Sequence, residues 1–207
     1  MVNIKGTLLS LPLIFSFAVM ASENNPHNGS GSEIVMGGFG YGMSDLSAFN
    51  ELEHNGTLQS GNYAEVIVDS SEYSRASINQ YQNGALGNKA KIAQADSYDS
   101  DALIRQNGSG NIGLIVQTGT NNYAELNQFG DNHQAWLEQV GHNNVAVVTQ
   151  SELLFQESSE ISLHQSGDNN QAYLYDMGGS NYGISQNGND SVLIVGAKNI
   201  GLYINQH

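Results

Sequence analysis

Cysteine is absent from the 207 residues, so a chain passing through an oxidising compartment would depend on no disulfide. Basic residues are scarce as well. Six Lys and Arg stand against 20 Asp and Glu, for a formal net charge of −14. No cationic patch exists to neutralise phosphate, which excludes nucleic acid as a partner, and an anionic bilayer repels the chain for the same reason. The six His, at positions 27, 54, 133, 142, 164 and 207, show no metal-ligand spacing. Long apolar runs are also missing. The longest, Leu8 to Met20, is interrupted by Pro12 and is too short for a bilayer that needs about 20 residues. With Lys5 before it and Ala21 two residues after Val19, it reads as a secretory signal over residues 1–21, cleaved before Ser22.

What the chain does have is a period. Gln recurs at 106, 117, 128, 139 and 150, and Gly at 108, 119, 130 and 141, each series in steps of eleven. Asn111, Asn122 and Asn144 follow a Gln by five residues, with His133 in the one exceptional slot. A fixed period is the first property a fold must explain. The unit is Asn-x-Ala-x-apolar-x-Gln followed by x-Gly-x-x, as in Asn122 to Asn132. Seven residues alternate, the signature of a strand and not of a helix. Four carry Gly beside Asn, Asp, Ser or Thr and read as a tight turn.

One such strand offers a core only one Ala and one larger aliphatic, so it is expected to stack. If two units make one flattened coil, equivalent strands lie 22 residues apart and sit above one another at about 4.8 Å. Ala102, Ala124 and Ala146 then form an inner column beside Ile104, Leu126 and Val148. The facing wall holds Gly113 with Ala135, and Ile115 with Leu137. The amides share this inward parity, and a buried amide without partners costs about 1 to 3 kcal/mol. Identical amides stacked rung on rung remove that cost by donating to one neighbour and accepting from the other. The expected ladder comprises Gln80, Gln94, Gln106, Gln117, Gln128, Gln139, Gln150 and Gln165 with Asn88, Asn111, Asn122, Asn144 and Asn170, turned by Gly108, Gly119, Gly130, Gly141 and Gly167.

The pattern Ser100-x5-Gln106-x-Gly108-x-x-Asn111-x-Gly113-x3-Gln117 closely resembles the curlin repeat of curli fibre subunits, departing only by Gly113 where that repeat has Ala. The resemblance reaches across about two thirds of the chain. It implies an all-β, curlin-type β-solenoid of stacked strand-turn-strand rungs, cross-β in character. It further implies a secreted bacterial protein that polymerises, with itself and a major curlin subunit, into extracellular amyloid fibres at the cell surface. The curli secretion channel and its accessory factors are implied as partners.

Residues 22–60 lack the repeat and are rich in Gly, Asn and Ser. They resemble in composition the flexible segment that the curli secretion channel reads. Asn50-Glu51-Leu52 is similar to a tripeptide ahead of the repeats in minor curli subunits, the nucleators of the fibre. The solenoid is expected over 61–207. Its units are diluted at both ends, with Val68 in one Gln slot and Asp176 in another. Asp176 has two readings: an inward carboxylate that brakes stacking, or a strand that stops at Tyr175. Relaxed ends favour the minor subunit, although such subunits tend to close on a basic repeat and here only Lys198 and His207 stand near the end.

Other functions find less support. Glu125, Asp131 and Glu138 fall on outward parity or in turns and read as solvating charge, not as an acid/base pair of a polysaccharide-cleaving coil. Calcium-binding coils need Asp at a fixed turn position, where this chain has Asp131 and Asp168 but also Ser109, Thr120 and His142. Nothing marks a cofactor or a small-molecule substrate. Tyr63, Tyr123, Tyr182, Trp136, Tyr173 and Tyr175 are expected to point outward, either to stack or bind along the surface or merely as β-formers. A monomeric secreted adhesin of the same fold is the alternative to a fibre subunit.

Overall fold

Alternating side chains and a Gly-marked bend every eleven residues can be satisfied together only if the chain winds. A computed structural model describes residues 61–152, 157–196 and 199–207. Among them are thirteen strands and no helix. The signal sequence and the Gly-rich segment expected within residues 1–60 lie outside the described residues, as does Lys198.

Seven strands form one sheet in the order β1 (Tyr63–Asp69), β3 (Lys89–Tyr98), β5 (Ile112–Thr120), β7 (Gln134–His142), β9 (Glu160–Asp168), β11 (Asn181–Asn187) and β13 (Gly201–Gln206). Six form the other, in the order β2 (Arg75–Gln82), β4 (Asp101–Ser109), β6 (Tyr123–Asp131), β8 (Val145–Ser151), β10 (Gln171–Asp176) and β12 (Ser191–Val195). Every pairing is parallel and joins strands two apart in sequence. The chain is therefore a β-solenoid in which each strand crosses to the opposite sheet and each turn takes two strands.

The register follows the repeat. Ala102 pairs with Ala124 and Ala124 with Ala146, while Ile104, Leu126 and Val148 stack beside them. On the facing sheet Gly113 pairs with Ala135 and Ile115 with Leu137. All these Ala, Ile, Leu and Val side chains lie in one buried cluster that runs on through Ala90, Ile92, Ile161, Leu163, Ala172 and Leu174. Each fully buried aliphatic contributes about 1.5 to 3 kcal/mol, so stability accumulates rung by rung. Gly113 is explained by the facing Leu126, whose Cδ2 would stand 2.9 Å from a Cβ built there.

Two local features differ from the simplest reading of the repeat. Strands β4 to β7 run nine residues, so the glycine expected in the turn lies inside the ladder, Gly108 pairing with Gly130 and Gly119 with Gly141. The corner itself is short and rests on a second positive-φ residue two places on, Gly110, Asn121, Asn132 or Asn143. The coil also absorbs variable spacing. Successive equivalents are 22 residues apart in the centre, 26 where the link before β9 lengthens and 20 at the last turn. In β3 the extra residue is taken up as a bulge between Ala95 and Ser97.

Candidate functional site

Inward parity places a Gln near the end of most strands, and parallel pairing sets each directly above its equivalent. In the six-stranded sheet Gln80 Nε2 donates to Gln106 Oε1 at 2.8 Å, Gln106 to Gln128 at 2.8 Å and Gln128 to Gln150 at 2.9 Å. In the seven-stranded sheet a longer column runs Gln94, Gln117, Gln139, Gln165, Gln186 and Gln206, with Nε2 to Oε1 distances of 2.8 to 3.0 Å. Donation always runs toward the higher-numbered strand. The other Nε2 proton crosses the coil to a backbone carbonyl of the facing strand, as from Gln117 to Asp101, Gln128 to Ile112 and Gln139 to Tyr123. Both donor protons are thus satisfied in the buried interior, where a missing partner costs about 1 to 3 kcal/mol.

The Asn column works differently. Asn88 Oδ1 accepts the backbone N–H of Asn111, Asn111 that of His133, Asn122 that of Asn144 and Asn144 that of Asn170. Asn111 and Asn170 also bond their lower neighbours amide to amide. The remaining contacts go to the corner: Nδ2 of Asn88, Asn111, Asn122 and Asn144 donates to the carbonyls of Gly108, Gly130, Gly141 and Gly167. The reason is position. Asn stands one residue before its strand, where the neighbouring N–H has no partner within the ladder, so the short amide caps backbone. Any small acceptor serves, and Ser100, Ser159 and Ser180 fill the same slot, with Ser100 Oγ accepting the N–H of Asn122 and Ser180 Oγ that of Ile200. His133 fills it with Nδ1, which accepts the Ser159 N–H at 3.2 Å.

Gly108, Gly119, Gly130, Gly141 and Gly167 all have positive φ. At Gly119 a Cβ would fall 2.1 Å from the carbonyl oxygen of Gly141. That oxygen is the one Asn122 bonds at 2.9 Å, so the Gly and Asn of the repeat act on the same atom.

Each Gln column is interrupted at one end. In the seven-stranded sheet Val68 lies where Gln94 Oε1 would find its donor, and that oxygen is buried without a partner. In the six-stranded sheet the slot above Gln150 holds Asp176, and the next holds Gly196, whose N–H donates to Tyr175 O. Strand β10 includes Asp176, which is fully buried; of the two readings of this residue, the inward carboxylate holds. Its Oδ2 accepts from Ser159 Oγ and the Gly178 N–H, and its Oδ1 has no partner.

One outward expectation fails, and two residues that do lie on the outer face are buried there. Tyr182 is fully buried in the core cluster. Ser180, not Asn181, fills the Asn slot of β11, and Tyr182 therefore occupies the Ala slot between Ile161 and Leu202. Its hydroxyl fits against Gly196, where a Cβ would lie 1.9 Å away. Burial raises its pKa, with Asp176 adding to the effect. Trp136 does lie on the outer face, in register with Leu114 and Ser162. It is fully buried all the same, in a cluster with Ile112 and Leu114 against which Tyr63 and Val116 pack. Glu138 beside it is equally buried, 3.2 Å from His164 Nδ1 of the next strand, and is not a solvating charge. Tyr123, Tyr173 and Tyr175 are exposed.

Glu125 is held by its neighbours. Burial works against ionisation, but hydrogen bonds from Tyr123, Asn127 and Arg105 outweigh it and keep the carboxyl below its ordinary pKa. Sequence reasoning did not include Gln186 and Gln206 in the ladder, although both stand six residues after a polar slot or its equivalent, Ser180 and Ile200. Among the described residues no group of three or more His, Cys, Asp or Glu is arranged to hold a metal ion.

Fold and columns define a β-solenoid whose interior is organised by stacked amides. The family model of the curlin associated repeat matches residues 99–130 and 119–151. Those residues hold β4 to β8 and the regular 22-residue stretch of both columns; the diluted units on either side fall outside the match. No curated protein and no solved structure matches the chain.

Proposed function

We propose that the chain is a structural subunit of an extracellular, curli-type amyloid fibre, exported by the curli secretion channel, and that it acts as the minor, nucleating subunit for a major curlin. The observation that carries the fibre reading is the parallel, amide-laddered stack whose end strands have no outer partner among the described residues. At β1, β2, β12 and β13 the sheets stop, and inward side chains that would be buried in mid-coil are exposed, among them Val66, Val68 and Leu202. Such an edge is a template for another chain of the same geometry. The nucleating role is supported by the interruption at Asp176, a buried carboxyl in the amide column that weakens the stack of this chain while its ends keep a preformed cross-β surface.

The test is seeding. A sub-stoichiometric amount of the purified protein is added to a major curlin of the same source, and the lag of thioflavin fluorescence is followed. A collapsed lag supports nucleation. An unchanged lag with ready polymerisation of the protein alone makes it a major subunit, and no fibres in either arrangement leaves a monomeric adhesin.

A further inference from the structure

The two ends of the coil leave different polar groups unused. At the β13 edge Gln206 Nε2 donates, among the described residues, only across the coil, to Ser191 O at 3.3 Å, whereas every earlier Gln of its column also donates along the axis. The same sheet begins at the opposite end with Val68, which offers no acceptor. In the six-stranded sheet the order is reversed. Its column begins with Gln80, whose Oε1 receives no donor among the described residues, and its last slot holds Gly196.

A second copy stacked with like sheet on like sheet meets two mismatches. Gln206 would face Val68. The six-stranded sheet would also lack a strand at the junction, because it has one fewer than its partner, leaving Gln80 over a void about one strand spacing, ~4.8 Å, deep. A half-turn of the incoming copy about the coil axis removes both. Its β1 then lies on β12 and its β2 on β13, so strands continue to alternate between sheets as they do within the chain. The two sheets are interchangeable in this sense: Gln117 reaches the carbonyl of Asp101 just as Gln128 reaches that of Ile112, each one residue past the polar slot of the preceding strand.

We propose that copies of this chain join head to tail with a half-turn at each junction, and that Gln206 of one copy donates to Gln80 of the next. The long column of one copy continues as the short column of its neighbour. Val68 falls on Gly196, apolar on apolar. Asn62 falls on Asp190, whose carboxylate takes the Asn62 N–H as Asn170 Oδ1 takes that of Asp190 within the coil. Ile200 offers Ser74 no oxygen, the one polar slot left unmatched. Val66 covers Ile194, Ile78 covers Ile204 and Ala76 covers Leu202, which removes Val66 and Val68, now 46% and 50% exposed, from water. No like charges meet: Glu65 lies beside Leu193 and Arg75 beside Gly201.

The proposal rests on the fibre-subunit reading but not on the nucleating role. It is tested with the cysteine-free full chain carrying two exposed substitutions, Asn79→Cys with Asn205→Cys, or Ile67→Cys with Asn205→Cys. After a half-turn, Asn205 of one copy lies beside Asn79 of the next; with like sheets stacked it lies beside Ile67. Neighbouring strands at about 4.8 Å fall within the Cα separation a disulfide accepts, about 4.4 to 6.8 Å. Fibres of each variant are oxidised in air with a copper catalyst, dissolved, and run on a non-reducing gel. The expected result is a ladder of covalent multimers from the first pair and monomer from the second. Fibres that give a ladder from the second pair, from both or from neither overturn the half-turn junction and leave the fibre reading intact. A chain that forms no fibres alone overturns the junction, and the fibre reading falls with it only if the chain also fails to shorten the lag of a major curlin.

Discussion

Asp176 lies directly above Gln150 in the six-stranded sheet, yet no hydrogen bond joins them: Gln150 Nε2 donates to the carbonyls of Gln134 and Ser159 instead. A carboxylate in an amide column stops donation along the axis, since an ionised oxygen can accept but has no proton for the next rung. The buried carboxyl is met by two donors, and among the described residues no Lys or Arg pairs with it. An amide in its place keeps the acceptor and supplies a donor in place of the unpartnered Oδ1, and is therefore stabilising. Asp176→Asn is expected to raise the stability of the folded chain by about 1 to 3 kcal/mol and to shorten the thioflavin lag of the protein alone. An unfolding midpoint in denaturant equal to or below that of the wild type would refute this.

The ladder itself is tested in mid-column. Gln139→Ala leaves Gln117 Nε2 without its acceptor and Gln165 Oε1 without its donor. Two buried polar atoms at about 1 to 3 kcal/mol each give a loss of about 2 to 6 kcal/mol. Glu125→Ala removes a partly exposed carboxylate whose pair with Arg105 is solvent-screened, worth about 0 to 1 kcal/mol. Fibre assembly by Gln139→Ala should be far slower than by Glu125→Ala. Equal rates would mean that the inward amides do not drive stacking.

The strands and inner columns between Ser100 and Gln150 are legible in the sequence because the spacing there is constant, so parity alone assigns each side chain to a wall. Where the spacing contracts, parity fails. Gln165 and Gln186 are 21 residues apart, and taking Asn181 as the slot instead of Ser180 moves every side chain of β11 to the opposite face; that is how a buried Tyr182 is read as exposed. Alternation also names the face without naming its cover, so it places Trp136 and Glu138 on the outside but does not show that they are buried there. The bonding of Asn88 or Asn122 was hidden for a different reason. A residue one step outside the strand meets backbone as well as its own copies, and that step is set by where positive φ bends the chain, at Gly119 and Asn121 for example.

Gly119→Ala probes the corner. The substitution puts an L side chain at a φ of 110° and a Cβ 2.1 Å from Gly141 O, so the backbone of one rung must move and the Asn122 bond to that oxygen is strained. Strained backbone of this kind costs about 1 to 3 kcal/mol before the clash is counted. Thermal or denaturant unfolding should show a loss of at least that size. An unchanged midpoint would mean that the corner is looser than its geometry.

His133 gives the fold a pH dependence with a definite sign. Nδ1 accepts the Ser159 N–H and Nε2 lies 3.3 Å from Phe129 O, so the ring is neutral with its proton on Nε2, and a second proton on Nδ1 would face a donor. Burial pushes the pKa below its ordinary value, against the opposing pull of the Phe129 carbonyl and the carboxylates of Asp176, Glu152 and Asp131. In the unfolded chain the imidazole titrates at its ordinary value, about 6.5. Below that value and above the lowered one, the unfolded state binds the proton and the folded state does not, so stability falls as pH falls. Above it both states are neutral and the residue adds no pH dependence. His133→Asn restores the side chain that the repeat places in this slot, and its Oδ1 can accept the Ser159 N–H at any of these pH values. Denaturant midpoints at pH 7.5 and 5.5 should therefore drop less in His133→Asn than in the wild type; equal drops would show that the protonated ring is tolerated in the column.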